Sequence, residues 1–334
     1  MLRVFECFSG YGSQSIALRN IGVDFEVVAI SEIDKYAIAA YESIHGPVNN
    51  LGDVTKLKIS DIPEHDLFTY SFPCTDISLA GRMEGLKKGS GTRSGLLWEC
   101  EKIIIEKKPK FLLMENVKNL LGKKFIEDFK EWCNLLESHG YKNYFKVLDA
   151  RDFDVPQNRE RIFMVSILGE HKEFKFPEKI QLKKRIVDIL DQKVDSKYAI
   201  SEDVEKKFVS NKNFTNDNLN EIESSEIRQI GFLKKSENGK KHQSNTIYDG
   251  RCVARTLMAC DYKSPLLIML DGKIRKLSPK EYFRLMGLNE DDIEKIQKAK
   301  ISPTQQYKMA GNSIVVPVLE GIFKEMLGRK QDEL

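Results

Sequence analysis

A cysteine that follows a proline at the end of an apolar run is the residue best suited to covalent chemistry in this sequence. Ser71-Phe72-Pro73-Cys74 closes such a run, and the proline fixes the direction of the chain at Cys74. A thiol attacks carbon only as its thiolate, which a helix N-terminus or a nearby cation favours. A buried structural cysteine is the other interpretation. We assign it to the five cysteines without a comparable setting: Cys7, Cys100, Cys133, Cys252 and Cys260.

A carboxyl group follows another apolar run. Glu115-Asn116-Val117 ends a strand that neighbours the Cys74 strand if the sheet is doubly wound. Beside a thiolate and partly desolvated, Glu115 can keep its proton and donate it to a ring nitrogen. A helix-capping glutamate is the alternative. We expect Cys74 and Glu115 to face one pocket.

Two arginines alternate in Gln157-Asn158-Arg159-Glu160-Arg161. In an extended segment Gln157, Arg159 and Arg161 share a face. The guanidinium groups of Arg159 and Arg161 can bind a phosphate, or orient Glu115 and a substrate carbonyl. A solvated charged edge explains the pattern equally well.

A ligand-binding turn is indicated near the N-terminus. In Phe8-Ser9-Gly10-Tyr11-Gly12 the glycines let the backbone turn sharply and approach a ligand closely. Glu32 ends the second strand and can accept both hydroxyls of a ribose, while Asp53, past an expected third strand, can hold an adenine amino group. The GxGxxG fingerprint of nicotinamide enzymes is absent. Ordinary turn glycines and an exposed cap remain the alternative.

These residues need a scaffold of alternating strands and helices. Apolar runs predict strands at Leu2–Phe8, Phe25–Ile30, Asp66–Phe72, Phe111–Glu115 and Arg161–Leu168. Helical periodicity is found at Ser13–Ile21, Lys35–Ile44, Leu96–Lys107 and Phe125–His139. The alternation predicts an α/β fold with a doubly wound, mostly parallel sheet, whose ligands bind at the carboxyl ends of the strands.

The pattern fades after about residue 170. Residues 190–245 predict a smaller, irregular domain with long loops, and order returns with a strand at Leu266–Leu270 and a helix at Pro279–Met286. Residues 312–323 predict an apolar helix that packs back on the first domain. Residues 171–275 hold 21 Lys and Arg against 16 Asp and Glu, whereas the whole chain holds 53 against 50. This excess permits phosphate contact, although a solvated lysine-rich surface explains it equally well.

Composition excludes several classes of protein. No apolar run approaches the roughly 20 residues of a membrane span. Six cysteines without a CxxC pair predict neither a disulfide framework nor a zinc site. We expect a cytoplasmic protein with reduced thiols, no metal and no membrane association.

Taken in order, nine features resemble the bacterial and phage DNA (cytosine-5)-methyltransferases. The resemblance runs from Val4 to Val318, except for the middle of residues 180–245. It consists of FSGYG at 8–12, Glu32, Asp53, SFPC at 71–74, RSGLL at 93–97, ENV at 115–117, QNRER at 157–161, RKLSPKE at 275–281 and AGNSIVVPV at 310–318. Each is weak alone, but nine in this order are specific.

The resemblance implies a role for each matching residue. The cofactor S-adenosyl-methionine would be surrounded by Phe8, Gly10, Gly12, Glu32, Ile33, Asp53, Pro73, Leu96 and Asn312. The catalytic residues would be Cys74 as nucleophile, Glu115 at cytosine N3 and the amino group, and Arg159 and Arg161 around the flipped base. Residues 75–93 resemble a mobile loop that closes over DNA. The DNA-binding residues would be Ser78, Ala80, Arg82, Arg251, Arg255, Thr256 and Lys263.

The resemblance also implies an organisation and partners. Residues 1–170 plus 276–334 would form the catalytic domain, with the fold of S-adenosyl-methionine-dependent methyltransferases, and residues 171–275 the target-recognition domain. The partner would be double-stranded DNA, with the enzyme a monomer in a bacterial or phage-infected cell. A cognate restriction endonuclease can accompany it without being physically required.

Three positions depart from the family pattern: Thr75 replaces the usual Gln, Ser13 a frequent Gly, and RSGLL the usual RGxL. None removes a group that the chemistry needs. Two other functions stay open at this point. A eukaryotic branch of the family methylates transfer RNA, and a catalytically silent DNA-binding protein would retain the fold.

Overall fold

A six-stranded sheet forms the centre of the first of two compact units. The computed structural model describes residues 1–74, 77, 94–210, 226–234 and 240–328. The strands are β1 (Leu2–Cys7), β2 (Phe25–Ser31), β3 (Leu67–Tyr70), β4 (Phe111–Val117), β5 (Tyr141–Asp149) and β6 (Glu160–Leu168). Their order is β2-β1-β3-β4-β6-β5. The pairs β1–β2, β1–β3 and β3–β4 are parallel, and β4–β6 is antiparallel.

Four helices follow the strands of this unit: α1 (Ser13–Asn20), α2 (Lys35–His45), α3 (Leu97–Lys107) and α4 (Ile126–Ser138). Asp34 begins α2 because its carboxylate accepts a hydrogen bond from Tyr36 N–H at 2.9 Å, which satisfies an otherwise unpaired helix donor. Helices α3 and α4 bury Trp98 and Trp132 in the core on one face of the sheet. These large rings hold the helices that follow the reactive strands in place.

The second unit contains a smaller sheet. Its strands are β7 (Phe208–Ser210), β8 (Gln229–Leu233), β9 (Thr246–Asp249), β10 (Leu267–Leu270) and β11 (Lys273–Lys276), in the order β11-β10-β9-β8-β7. Its helices are α5 (Glu202–Glu205), α6 (Pro279–Arg284), α7 (Glu290–Lys298) and α8 (Pro303–Asn312), and the chain continues into α9 (Val316–Leu327). Asp271 and Gly272 join β10 to β11 with φ angles of 50° and 77°, the backbone that a two-residue hairpin turn needs.

The chain passes between the two units more than once. The first comprises Met1–Leu148, Glu160–Glu178 and the chain from Val318 onward; the second comprises Asp149–Arg159 and Lys179–Pro317. Most of α9 therefore belongs to the first unit, where Asn20 Nδ2 donates to Glu320 Oε1 at 2.7 Å. This confirms that the last apolar helix packs on the first unit. The functional division at residues 171 and 275 stays a prediction.

The predicted strand and helix alternation is confirmed, with three corrections. Strand β5 was not predicted, because this edge strand has only a partly buried, lysine-containing pattern. No strand precedes Asp53; Asn50 makes only an isolated bridge to Ile30. The last helix begins at Val316 rather than Asn312, which ends α8. Pro317 explains this limit, because a proline is tolerated in the first turn of a helix but not in its interior.

Candidate active site

The loop from Phe8 to Gly12 turns sharply after β1, as predicted. Phe8, Gly10 and Gly12 all have positive φ, of 57°, 57° and 82°. A Cβ atom on Gly12 would lie 2.5 Å from His45 Nε2 and 2.7 Å from Tyr41 Cε2, so only glycine fits there. A Cβ atom on Gly10 would meet nothing within 4 Å. The loop is therefore held tightly on the α2 side and open at Gly10.

Glu32 ties this loop to the start of α2. Its Oε2 accepts from Gly10 N–H at 2.9 Å, and its Oε1 accepts from Ile33 and Asp34 N–H at 2.8 and 2.9 Å. A carboxylate oxygen can accept two hydrogen bonds. Oε2 therefore retains capacity for one ribose hydroxyl while still holding Gly10.

The surroundings of Glu32 fit an adenosine-containing ligand. Ile33 leaves 73% of its surface exposed, which offers an apolar face to a planar ring. Asp53 accepts from Thr55 N–H and Oγ1 at 3.0 and 2.8 Å, and these hydrogen bonds hold the pKa of Asp53 below its usual value. An ionised Asp53 is an acceptor, as an adenine amino group requires. Leu96 ends a short 3₁₀ helix and, like Phe8, packs against the main core.

Four hydrogen bonds fix the backbone around Cys74. Asn116 Nδ2 donates to Phe72 O at 3.0 Å, and Ser94 Oγ donates to Pro73 O at 2.8 Å. Ile77 N–H donates to Cys74 O at 3.1 Å, and Asn119 Nδ2 donates to Ile77 O at 2.6 Å. The thiol, which is partly exposed, is thus carried by a defined segment beyond β3.

The remaining cysteines differ from Cys74 in their surroundings. Cys7, Cys100, Cys133 and Cys252 are buried and Cys260 is exposed, all as free thiols. Burial raises the pKa of Cys133 to about 12 and that of Cys252 to about 11. Burial also raises the pKa of Cys100 well above its usual value. These three thiols stay protonated at neutral pH and are poor nucleophiles.

Glu115 lies in β4 beside the Cys74 segment. Tyr70, the last residue of β3, is paired with Met114, so that Glu115 is the next residue of β4. Arg161 of the antiparallel β6 lies diagonally opposite, and its Nε is 3.2 Å from Glu115 Oε1. Both side chains are largely buried. The Arg161 guanidinium is therefore a charged partner of Glu115, and the expectation that Glu115 keeps its proton stays a prediction.

Arg159 and Gln157 have structural partners within the second unit. The Arg159 guanidinium, 3% exposed, donates to Leu257 O at 3.0 Å, Gly311 O at 3.0 Å and Ser313 O at 2.7 Å. The Gln157 amide donates to Leu285 O and accepts from Leu257 N–H. Arg159 and Arg161 thus use their charge differently, although they share one sequence pattern. A catalytic role for Arg159 and a cofactor contact for Asn312 stay predictions.

The predicted DNA-binding residues differ in their exposure and in the partners that their side chains already have. Arg255, 6% exposed, forms a bidentate pair with Asp261 at 3.1 and 2.9 Å. Its guanidinium is thus occupied by Asp261 in this conformation, and its contact with DNA stays a prediction. Thr256 Oγ1 donates to Asn158 O at 2.6 Å. Arg251 pairs with the exposed Asp271 at 2.7 Å, and Lys263 is exposed. Three further predicted residues lie outside the described residues: Ser78, Ala80 and Arg82.

Sequence reasoning missed the side chains that position the reactive segment: Asn116, Ser94 and Asn119. Asn116 stands within the ENV segment and Ser94 within RSGLL, but their acceptors are main-chain carbonyls. Such acceptors carry no sequence signal. Adjacency to Cys74 and Glu115 was the only available indication.

Fold and site together define an α/β protein that carries a glycine-containing loop with Glu32, and a partly exposed Cys74 beside Glu115, at the carboxyl edge of its sheet. Residues 2–328 match the family model of C-5 cytosine-specific DNA methylases, and the chain belongs to this family. It is 36% identical to the type II methyltransferase M2.ScrFI of Lactococcus lactis subsp. cremoris, over 98% of this chain and 99% of the relative. It is 34% identical to the type II methyltransferase M.NlaX of Neisseria lactamica, over 98% and 96%.

A solved structure agrees on the fold. The crystal structure of the S. pombe Dnmt2 methyltransferase matches with a TM-score of 0.70 at 20% identity, covering 98% of this chain and 99% of that one. The family match and the two type II relatives, not this structure, show the activity of a DNA (cytosine-5)-methyltransferase, and enzymes of this family take their methyl group from S-adenosyl-methionine. The described residues contain no helix able to cross a membrane and no cluster of side chains able to hold a metal ion.

Arg161→Gln should lower kcat/KM for methyl transfer by about 10- to 100-fold, because an ion pair with a largely buried carboxylate contributes roughly 1.5–3 kcal/mol, between the values for exposed and fully buried pairs. Initial rates with labelled S-adenosyl-methionine measure the effect. Lys118→Gln is the matched control, since it breaks the exposed ion pair with Glu160 near the same strands and should change the rate by less than about twofold. Equal losses in both variants would contradict a specific role for Arg161.

Proposed function

We propose that the enzyme methylates carbon 5 of a cytosine that is flipped out of duplex DNA, through a covalent bond between Cys74 and carbon 6. The observation that supports this most is the placement of the two reactive residues. Cys74 and Glu115 follow the paired ends of β3 and β4, and the Asn116 side chain bridges the two segments by donating to Phe72 O. Both groups thus come from the same edge of one sheet.

The cofactor site proposed here is the edge formed by the Phe8–Gly12 loop, Glu32 and Asp53. The open space at Gly10 and the exposed Ile33 fit a ligand that stacks an adenine and presents a ribose to Glu32. S-adenosyl-methionine, when bound, supplies an activated methyl group. Further contacts follow from the family resemblance and are part of the proposal: Phe8, Gly12, Pro73, Leu96 and Asn312.

The chemistry proceeds by addition and elimination. Carbon 5 of cytosine is a poor nucleophile until the Cys74 thiolate bonds to carbon 6 and gives the ring enamine character. Glu115 delivers a proton to N3, or a strong hydrogen bond, as negative charge develops there. Carbon 5 then takes the methyl group, whose bonding pair stays on the sulfur of the leaving S-adenosyl-homocysteine. Loss of the carbon-5 proton, to water in our proposal, restores the ring double bond and expels Cys74 as its thiolate, and N3 returns its proton to Glu115.

Arg161 gives the proton transfer its direction. Its guanidinium lies within ion-pair distance of Glu115, with Nε 3.2 Å from Oε1. A proton that Glu115 takes up as the base enters is therefore readily passed to N3, because the carboxylate that remains regains its ion pair. Neither carbon 5 nor carbon 6 can be attacked inside a duplex, so the base must leave the stack at a cost of a few kcal/mol.

Recognition of the DNA sequence is assigned to residues 171–275. This segment carries the excess of basic residues but none of the groups that the chemistry needs. Arg251 remains a candidate for reading bases, since its ion pair with the exposed Asp271 can exchange for a guanine edge at little cost. Lys263 is suited to phosphate contact. The loop that carries Thr256 is anchored through its main chain to Gln157 and Arg159.

The biological setting proposed is protection or marking of DNA in a bacterial or phage-infected cell. Two related proteins are named type II methyltransferases, and a third is named an orphan methyltransferase of Bacillus phage SPbeta. We propose a cytoplasmic monomer. It acts on double-stranded DNA without needing physical contact with a restriction endonuclease.

Cys74→Ser should abolish methyl transfer while DNA and S-adenosyl-methionine binding persist, because a serine hydroxyl is a far weaker nucleophile than a thiolate. Transfer of labelled methyl to duplex DNA and parallel binding titrations measure the two properties. Cys260→Ser replaces the exposed cysteine of the second unit and should stay fully active. Full activity of Cys74→Ser would eliminate the covalent mechanism.

Exchange of residues 180–265 for the matching segment of a relative of known specificity should transfer the donor's target site. Gln157 and Arg159 form hydrogen bonds with main-chain atoms of Leu257, so a foreign segment can keep these anchors. Bisulfite sequencing of DNA from cells that express the hybrid reports the methylated site, and the reciprocal hybrid is the control. An active hybrid that still methylates the original site would show that specificity lies elsewhere.

A further inference from the structure

A buried glutamate lies beneath the proposed cofactor loop. Glu6 occupies β1 and has no exposed surface. Its Oε1 accepts from Ser15 Oγ at 2.8 Å, and Ser15 Oγ lies 3.2 Å from the Tyr41 hydroxyl. Because Ser15 gives its only hydroxyl proton to Glu6, Tyr41 must donate to Ser15. The three groups form a directed chain from α2 through α1 to β1.

The same chain reaches the cofactor loop. Ser15 lies in the first turn of α1, which begins directly after Gly12. The Tyr41 ring forms the wall against Gly12, since a Cβ atom there would be 2.7 Å from Tyr41 Cε2. A shift of Tyr41 or of the first turn of α1 would therefore alter the backbone at Gly12 and, through Gly10, the hydrogen bond to Glu32.

The charge state of Glu6 matters because no ion pair compensates a negative charge there among the described residues; hydrogen bonds with Ser15 and Tyr41 favour the ionised form, but burial outweighs them. Oε2 has no hydrogen-bond partner among the described residues, and neither does Oγ1 of Thr69, the residue paired with Glu6 in β3. The paired residue in β2 is the apolar Ile30. The other titratable groups on this side are Tyr41 and His45, both on α2, and His45 Nε2 lies 3.2 Å from Tyr11 O. No ion pair to Glu6 is formed within the described part of the chain.

We propose that Glu6 is a positioning residue for the cofactor, which holds the Phe8–Gly12 loop in its binding conformation through Ser15 and Tyr41. The proposal rests on the assignment of this loop to S-adenosyl-methionine. The neutral carboxyl group supports the loop, whereas an ionised one, buried with hydrogen bonds from Ser15 and Tyr41 but no ion pair, draws water or moves. Burial raises the pKa of Glu6 to about 7, so the change in charge falls near neutral pH. Burial also keeps the pKa of Tyr41 well above its usual value, so that Tyr41 remains a donor.

The test is calorimetric titration of S-adenosyl-homocysteine, the demethylated cofactor, into full-length protein between pH 6 and 8.5. With a pKa of about 7, the protonated fraction of Glu6 falls about tenfold from pH 6 to pH 8, so the affinity of the wild-type protein should fall by about the same factor. Glu6→Gln stays neutral and should lose this dependence, binding more tightly than wild type at pH 8. A merely structural role would not improve binding.

Two further variants make the result decisive. Ser15→Ala removes a donor that stabilises the ionised Glu6 carboxylate. The midpoint of the pH dependence of cofactor affinity should therefore move upward by about one pH unit. His45→Gln tests the neighbouring imidazole and should leave the midpoint in place.

If the cofactor affinity of Glu6→Gln depends on pH as that of the wild type does, the proposal is wrong. If Glu6→Gln does not fold, an unchanged midpoint in Ser15→Ala overturns it instead. Glu32→Ala should weaken binding at every pH. Binding that survives in Glu32→Ala, or fails in the wild type throughout, would overturn the cofactor site and the Glu6 proposal with it.

Discussion

The parallel pairing of β1, β3 and β4 is the constraint on which the functional arrangement depends. Parallel strands end at the same edge of a sheet, so the segments that follow them are brought together without any direct attraction between their functional groups. Side-chain amides then join these segments to one another: Asn116 donates to Phe72 O and Asn50 to Glu32 O. Because the acceptors are main-chain carbonyls, the positions of Cys74 and Glu32 are set by the backbone. Substitutions elsewhere in the loops can therefore accumulate without displacing the reactive groups.

The arginines show how partners decide what a charged side chain does. Arg161 uses its charge on the Glu115 carboxylate, Arg159 on three main-chain carbonyls, and Arg255 on Asp261. A buried guanidinium loses its hydrogen bonds to water, and protein acceptors must replace them. Each of these arginines therefore depends on the partners named here. Only Arg161 pairs with a group that we place in the chemistry. The others stabilise the second unit, including the loop that carries Thr256.

The sequence predicted the strand and helix alternation, the turn at Gly10 and Gly12, the neighbouring strands of Cys74 and Glu115, and the family, because apolar periodicity and residue type carry that information. It missed β5, since an edge strand shares its pattern with exposed segments, and it missed the burial of Arg255, since a partner six residues away is set by a loop conformation. Glu6 stood in an apolar run as a visible anomaly. Its role required knowledge of Ser15 and Tyr41, which come from two different helices.

The most direct test of the account is whether Cys74 bonds to the base. The substrate is long duplex DNA of varied sequence in which 5-fluorocytosine replaces every cytosine, so that every short target sequence is present. Fluorine at carbon 5 prevents the elimination that releases the enzyme. Incubation with the enzyme and S-adenosyl-methionine, denaturation, proteolysis and mass spectrometry then identify the modified peptide. The account predicts an adduct that survives denaturation and lies on Cys74. The absence of an adduct, or its location on Cys260, would contradict it.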